Sequence, residues 1–303
     1  VGKQDRNKRI PKEQVRASCL RVEQDTELMK FLLEQLPAKT RNNIKSLLLH
    51  HQVLVDGKAI SQYNHPLRAG QEVIINWSLV RDDENVKGLK ILYEDAYVIV
   101  IDKPAGLLSM ASDKEKVYTA YHQLTDHVRR DHPDNRIFIV HRLDRDTSGV
   151  MLFAKNEEVK HILQDNWKEM VFDRAYIAVV EGKVEKGEGE IRSWLKETKT
   201  KLMYTSSHPG DGLEAISHYK VLRSSDAYSL LEIRLATGRK NQIRVHMQQI
   251  GHSIAGDKKY GARSNPLGRL GLHAHILAFY HPVSREIMRF ETEVPKKFNR
   301  LIK

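Results

Sequence analysis

His141-Arg142-Leu143-Asp144-Arg145-Asp146-Thr147-Ser148-Gly149-Val150-Met151-Leu152-Phe153-Ala154-Lys155 passes from a dense polar cluster into an apolar run. Upstream of it, Ile137 to Val140 form a short β-favouring stretch, and Val150 to Ala154 form another downstream. Between the two stand Asp, Thr, Ser and Gly, the residues of tight turns. A carboxylate there sits at the edge of a sheet, held outward by two buried strands, which is a good place for a nucleophile or general base. Asp144 and Asp146 are both candidates. A plain hairpin has the same pattern, and on spacing alone it is the commoner explanation.

On either side of this stretch the chain reads as one larger domain, residues 89–303. Leu89 to Tyr93 and Val98 to Ile101 are strand-like and lead into Asp102-Lys103-Pro104-Ala105-Gly106-Leu107, a turn that would carry Lys103 as a cation at a cleft rim. Tyr118 to Arg129 reads as a helix. Asn156 to Met170 reads as a second, with Val159, Ile162, Leu163 and Trp167 inward. Asp173 to Val180 alternates as a strand in which Tyr176 is half-buried. Lys183 to Glu190 is expected to be a charged hairpin tip, and His208 to Gly212 a loop. Further on, Leu235-Ala236-Thr237-Gly238-Arg239-Lys240-Asn241-Gln242-Ile243-Arg244-Val245-His246-Met247 joins a strand ending at Thr237-Gly238 to a helix. Its apolar stripe is Ile243, Met247 and Ile250, and Gly251 is its stop. Arg239, Lys240 and Arg244 would then gather at a helix start, a natural anion site, which needs no catalytic part. His273-Ala274-His275 could chelate a metal on one strand face, but no cysteine lies nearby and no metal is assigned.

Residues 15–77 read as a small separate unit. Asp25 or Thr26 is expected to cap a helix containing Leu28, Phe31 and Leu32, closed by Pro37. Thr40 caps a second helix, with Ile44, Leu47 and Leu48 inward and Arg41 and Lys45 outward. Val53 to Val55, an Asp56-Gly57 turn and Lys58 to Ile60 form a hairpin, and Glu72 to Trp77 a last strand. Residues 1–14, with Lys3, Arg6, Lys8 and Arg9, read as a basic disordered arm, and the charged residues 78–88 as a linker.

The chain has 303 residues, room for two domains, and a formal net charge of +11, which favours a polyanionic partner. No long apolar run points to a membrane, so nucleic acid is the expected partner. A single cysteine, Cys19, rules out an intrachain disulfide framework and suggests a reducing compartment, hence the cytoplasm. There is no low-complexity segment and no internal repeat.

The string from His141 to Lys155 resembles the signature of the RluA-type pseudouridine synthases, whose catalytic aspartate lies in the His-Arg-Leu-Asp segment. Carried over, that residue is Asp144 and not Asp146. The Lys103 turn resembles the family's first motif. Tyr176 matches the tyrosine of the second, placed against the target base. Arg244 matches the arginine of the third, paired with the catalytic aspartate. Such a pairing makes chemical sense, because a guanidinium supports the charge of an enclosed carboxylate and fixes its direction. Asn241 departs from the pattern, since a histidine is usual there. The small unit resembles the S4 RNA-binding domain, with His51 and Gln52 departing where glycine and a basic residue are usual.

The resemblance implies an α+β protein: a pseudouridine synthase fold, with a mixed, largely antiparallel central sheet and flanking helices, plus a small S4-like α/β domain. It implies isomerisation of uridine in flipped-out RNA by Asp144, with Arg244 and Tyr176 completing the catalytic group. RNA contacts are expected from Arg142, which would fill the space the base leaves, and from His141, Arg239, Lys240, Lys103, Arg41 and Lys45. No cofactor is expected, and a monomer is. The S4 module favours large-subunit ribosomal RNA over transfer RNA. The rival readings are a non-catalytic RNA-binding or ribosome-assembly protein, and a metal-dependent nuclease using Asp144 and Asp146.

Overall fold

The computed structural model describes residues 17–37, 39, 41–49, 52–76, 89–112, 115, 117–206 and 208–302. The expected basic arm, the linker, the Thr40 cap and His51 lie outside them. The chain divides into two compact units, Val1–Asn85 and Val86–Lys303.

The first unit contains β1 (Ala17–Arg21), β2 (Thr26–Glu27), α1 (Leu28–Gln35), α2 (Arg41–Leu49), β3 (Val53–Val55), β4 (Lys58–Ala59), β5 (Pro66–Leu67) and β6 (Glu72–Asn76). Its main sheet runs β1-β6-β3-β4, all antiparallel. Leu28, Phe31, Leu32, Ile44 and Leu48 bury the apolar stripes of both helices against Val53, Val73 and Ile75. The hairpin turns through Asp56 and Gly57, both at positive φ as a two-residue turn of this kind requires. Two expectations are corrected. Helix α1 is preceded by Glu27 with no side-chain cap, because Asp25 accepts instead from the Ala69 N–H at 2.8 Å and Thr26 lies in a strand. Strand β1 was not expected: Ala-Ser-Cys-Leu-Arg carries little apolar periodicity, and pairing along β6 is what orders it.

The second unit follows as β7 (Lys90–Glu94), β8 (Val98–Lys103), α3 (Ala120–Arg129), β9 (Phe138–Ile139), β10 (Ser148–Ala154), α4 (Glu157–Asp165), α5 (Trp167–Met170) and β11 (Val171–Glu181). It continues with β12 (Glu188–Glu197), β13 (Met203–Ser206), β14 (Leu213–Ser224), β15 (Tyr228–Leu235), α6 (Gln242–Gln249), a 3-10 turn (Lys258–Tyr260), β16 (Leu272–Tyr280), β17 (Ile287–Glu291) and α7 (Lys296–Leu301). Among these, an eleven-stranded sheet runs β13-β12-β14-β15-β11-β16-β10-β8-β7, with β17 on β16 and β9 on β10. Only β10 with β16 is parallel, so the sheet is mixed and largely antiparallel, as expected.

Every residue of β10 is buried, because both sheet faces are covered. Met151 and Phe153 face Ala120, Leu124 and Val128 of α3. Val150, Leu152 and Ala154 face Val159 and Leu163 of α4. That alternation is the period of a strand between two apolar layers.

The expected helix from Asn156 to Met170 is two helices, broken at Asn166, whose φ of −110° and ψ of 27° leave the helical region. Lys183 to Glu190 is not a hairpin tip, since β11 pairs with β15 and β16 while β12 pairs with β13 and β14. Strand β15 stops at Leu235, two residues before the expected end. No helix among the described residues is long and apolar enough to cross a membrane.

Candidate active site

The carboxylate site is assembled where β10, β16 and β11 lie side by side. Gly149 is opposite Ala274 in the parallel pair, and Ala274 is opposite Tyr176 in the antiparallel one. Gly149 sits at φ 113°, and a Cβ there would stand 2.0 Å from the Ala274 carbonyl oxygen, so only glycine allows this approach. The polar loop 140–147 is therefore delivered beside Tyr176. It is a wide loop closed at its base by the short β9–β10 pairing of Ile139 with Phe153, so the hairpin reading describes its stem but not its head.

A neighbouring segment fixes that head. Ser109 Oγ donates to the Leu143 carbonyl at 2.7 Å, and the Gly106 N–H donates to the Arg145 carbonyl at 2.9 Å. Lys103 is fully buried and its ammonium donates to the carbonyls of Pro104 (2.9 Å), Leu107 (2.7 Å) and Arg145 (3.1 Å). Burial pushes its pKa down to about 7. The expectation of a rim cation reaching RNA is thus corrected: Lys103 ties the Pro-Ala-Gly turn to the carboxylate loop, because a charge with no water must spend its donors on backbone.

Asp144 meets two donors from the start of α6. Arg244 Nη1 lies 3.0 Å and Asn241 Nδ2 2.6 Å from the same oxygen, Oδ2, which leaves Oδ1 without a protein donor among the described residues. Arg244 is locked from behind by Asp257, Nε to Oδ2 at 2.7 Å and Nη2 to Oδ1 at 2.8 Å, and its guanidinium lies over the Tyr260 ring at 4.8 Å. Burial opposes the Arg244 charge, yet hydrogen bonding to Asp257 and the nearness of both carboxylates carry its pKa above the usual guanidinium value.

Asn241 precedes α6 at φ 53°, a left-handed position that Asn tolerates better than most residues. Its Oδ1 accepts from the Tyr260 hydroxyl at 3.1 Å. Gln242 is buried and holds the whole turn. Its Oε1 accepts from the Arg239 N–H and the Thr237 hydroxyl, while its Nε2 donates to the Ile216 carbonyl and Ser217 Oγ.

Asp144, Thr147, Tyr176, Asn241, Arg244 and Arg142 line one small cavity. A larger hollow of about 640 Å³ adjoins it and shares Arg142, Tyr176, Leu235 and Arg239. Tyr176 thus walls both. Burial raises its phenol pKa, with Arg174 acting against this and Asp144 adding to it, so the hydroxyl keeps its proton at neutral pH. Arg142 is exposed at the mouth of both hollows.

The other expected residues divide. Arg239 lines both hollows and donates from Nε to the Glu214 carbonyl at 2.9 Å. Lys240 is paired with Glu197 and lines neither, so Arg239, Lys240 and Arg244 do not converge on one anion site. His141 accepts the Leu152 N–H at Nε2 (2.9 Å) and packs on Trp167; burial, with Arg174 nearby, lowers its pKa to about 3. It is a neutral wall, not a cation for phosphate. Asp146 turns away from Asp144. It pairs with Arg145 at 3.0 Å and opens on a different hollow, so the converging carboxylates of a two-metal nuclease are not present at this loop. His273 and His275 bond to Ser148, Thr292 and Glu291. Arg41 and Lys45 are exposed one turn apart on α2 of the first unit.

Sequence reasoning assigned no role to Asp257, Tyr260 or Gln242; the first two stand in the turn-rich stretch Gly256 to Gly261. Asn241 was noted only as a departure.

Residues 97–249 match the family model described as RNA pseudouridylate synthase, and residues 28–73 that of the S4 domain. An uncharacterized RNA pseudouridine synthase of Synechocystis is 35% identical over 91% of this chain and 88% of its own. Ribosomal large subunit pseudouridine synthase D of Escherichia coli is 32% identical over 91% of this chain and 89% of its own. Among solved structures, human RNA pseudouridylate synthase domain containing 1 superposes with a TM-score of 0.55 at 25% identity, over 69% of this chain and 84% of that one. With motif, sheet and paired Asp144 and Arg244 in place, these likenesses establish that the chain belongs to the RluA-type RNA pseudouridine synthases, with an N-terminal S4 domain.

Proposed function

We propose that this synthase isomerises uridine in large-subunit ribosomal RNA and that Asp144 is its essential carboxylate. The observation that carries the reading is the one-sided bonding of that carboxylate: Arg244 and Asn241 both hold Oδ2, and Oδ1 is left for the substrate. The reaction breaks the bond from ribose C1′ to uracil N1 and makes one from C1′ to C5; a proton leaves C5 and one is gained at N1, so nothing is oxidised or reduced. Oδ1 is placed to attack C1′ or to take a ribose proton, and either route needs a fixed, ionised oxygen at the sugar.

The detached uracil has to turn while held. Tyr176 offers a flat face for stacking and a protonated hydroxyl for a local hydrogen bond. Extruding the nucleoside costs about a few kcal/mol. The planar guanidinium of Arg142, exposed at the mouth, fills the space it leaves. Arg41 and Lys45 of the S4 unit add phosphate contacts, which position RNA without reading sequence.

Large-subunit ribosomal RNA is favoured because the Escherichia coli relative named for that substrate matches nearly the whole chain. The test is base-resolution pseudouridine mapping on unmodified ribosomal and transfer RNA transcripts exposed to the protein. Conversion in large-subunit RNA is expected. Conversion in transfer RNA alone moves the substrate, and binding without conversion favours a non-catalytic RNA-binding protein.

A further inference from the structure

The hollow of about 640 Å³ beside the Asp144 cavity holds a cation that the chemistry above does not use. Arg174 stands two residues before Tyr176 on β11, and both side chains line this hollow. Among the described residues its hydrogen bond runs from Nη2 to the Leu235 carbonyl at 3.1 Å, and no carboxylate lies within ion-pair distance. The neighbouring arginines differ: Arg234 and Arg289 both engage Asp173, and Arg244 engages Asp144 and Asp257. Two carboxylates, Asp165 and Glu169, do line the hollow, yet neither pairs with Arg174.

A half-buried guanidinium has five donors, and one with most of them unspent in a hollow is an anion site awaiting its anion. Burial already pulls the Arg174 pKa below the usual guanidinium value, which is the signature of a charge without its counter-charge. Room for the group is kept at Gly238, where a Cβ would stand 2.7 Å from Arg174 Nη1. Arg142 and Arg239, which line this hollow as well as the Asp144 cavity, add positive charge at the passage between them.

We propose that Arg174 is a phosphate subsite, taking a backbone phosphate of the RNA strand next to the uridine held on Tyr176. This rests on the RNA-modifying reading of the adjoining cavity. A nucleotide stacked on the wall common to both hollows has its chain continue from one into the other, and a phosphodiester is the anion that arrives with it. Arginine suits the task because its fork can hold two phosphate oxygens together.

The test compares wild type, Arg174→Gln, Arg174→Lys and Gly238→Ala on unmodified large-subunit ribosomal RNA, measuring affinity against salt and then turnover. Neutralising one phosphate contact changes the slope of log K against log salt by about 0.7 for single-stranded RNA. Arg174→Gln should lose roughly that slope and raise KM several-fold with kcat changed much less, while Arg174→Lys keeps the slope. Gly238→Ala, which displaces the guanidinium without removing it, should weaken binding in the same direction. A substrate carrying one neutral methylphosphonate beside the mapped uridine should weaken wild type but not Arg174→Gln further. Unfolding temperatures check that each variant is folded; should Arg174→Gln fail to fold, Gly238→Ala and the methylphosphonate on wild type carry the test. Unchanged slope and KM in folded variants, or no effect of the neutral linkage, overturns the subsite. Absence of any pseudouridine from wild type instead overturns the reading beneath it.

Discussion

Arg244 spends two of its nitrogens on Asp257, Nε and Nη2 at 2.7 and 2.8 Å, so that only Nη1 is presented to Asp144. The Asp257 side chain is 1% exposed and that of Arg244 15%. A guanidinium gripped at one edge by a buried carboxylate cannot rotate, and its free edge becomes a fixed donor. Asp257→Asn should therefore lower stability by about 3 kcal/mol, since it takes from a buried guanidinium the charged partner that holds two of its nitrogens. It should also reduce kcat far more than it raises KM. Chemical denaturation and steady-state kinetics on RNA check both, and an unaltered kcat would mean that Arg244 holds its direction without Asp257.

Asn241 is the second donor to Asp144 Oδ2 and is itself held by the buried Tyr260 hydroxyl. A hydrogen bond to a charged group contributes about 1.5–3 kcal/mol. Asn241→Ala should thus slow single-turnover conversion by roughly ten- to a hundredfold. Asn241→His, the residue usual in the family, should restore most of the rate, because an imidazole N–H can replace the amide donor. Tyr260→Phe should give a smaller loss of the same kind. Equal rates for Asn241→Ala and wild type would remove Asn241 from the positioning of the carboxylate.

Lys103 separates two accounts of the Pro-Ala-Gly turn. As a tie between loops, Lys103→Met should leave the Pro104 and Leu107 carbonyls without their donor, take one of two donors from the Arg145 carbonyl, and lower stability by about 2–4 kcal/mol. Affinity for RNA, measured on the folded fraction, should hold. Weaker RNA binding at an unchanged unfolding temperature would restore the rim cation.

The His246 ring is buried between Ser193 and Ser217, bonded to both at 2.9 Å, and burial lowers its pKa to about 4. In the unfolded chain its pKa is about 6.5. Between those values the unfolded state binds more protons, so stability rises with pH across that window and falls as the medium is acidified. Its contribution is complete above pH 6.5 and gone near pH 4. Unfolding temperature should drop over this range, and His246→Gln should flatten part of the drop; an identical pH slope in the variant would exclude His246 as a cause.

Much of this was legible in the chain. Periodicity placed β8, β10 and α6, because alternating or helical apolar stripes report a face and its burial directly. The string ending Gly149-Val150-Met151-Leu152-Phe153-Ala154 carried the glycine that the approach to Ala274 demands. What stayed hidden were long-range partners. Lys103 looks like any surface lysine until the distant Arg145 carbonyl joins two nearby ones around its ammonium. Asp257 and Tyr260 look like turn residues until α6 brings Arg244 against them. A charged stretch such as 183–190 mimics a hairpin tip, since sequence shows where strands end but not which strands they join.

The central claim is that the unbonded oxygen of Asp144, and not that of Asp146, does the chemistry. Asp144→Asn and Asp146→Asn should each be incubated with unmodified large-subunit ribosomal RNA, with binding and base-resolution pseudouridine read from the same samples. The expected result is near wild-type binding by both, no conversion by Asp144→Asn, and conversion retained by Asp146→Asn. Pseudouridine formed by Asp144→Asn would contradict the assignment outright.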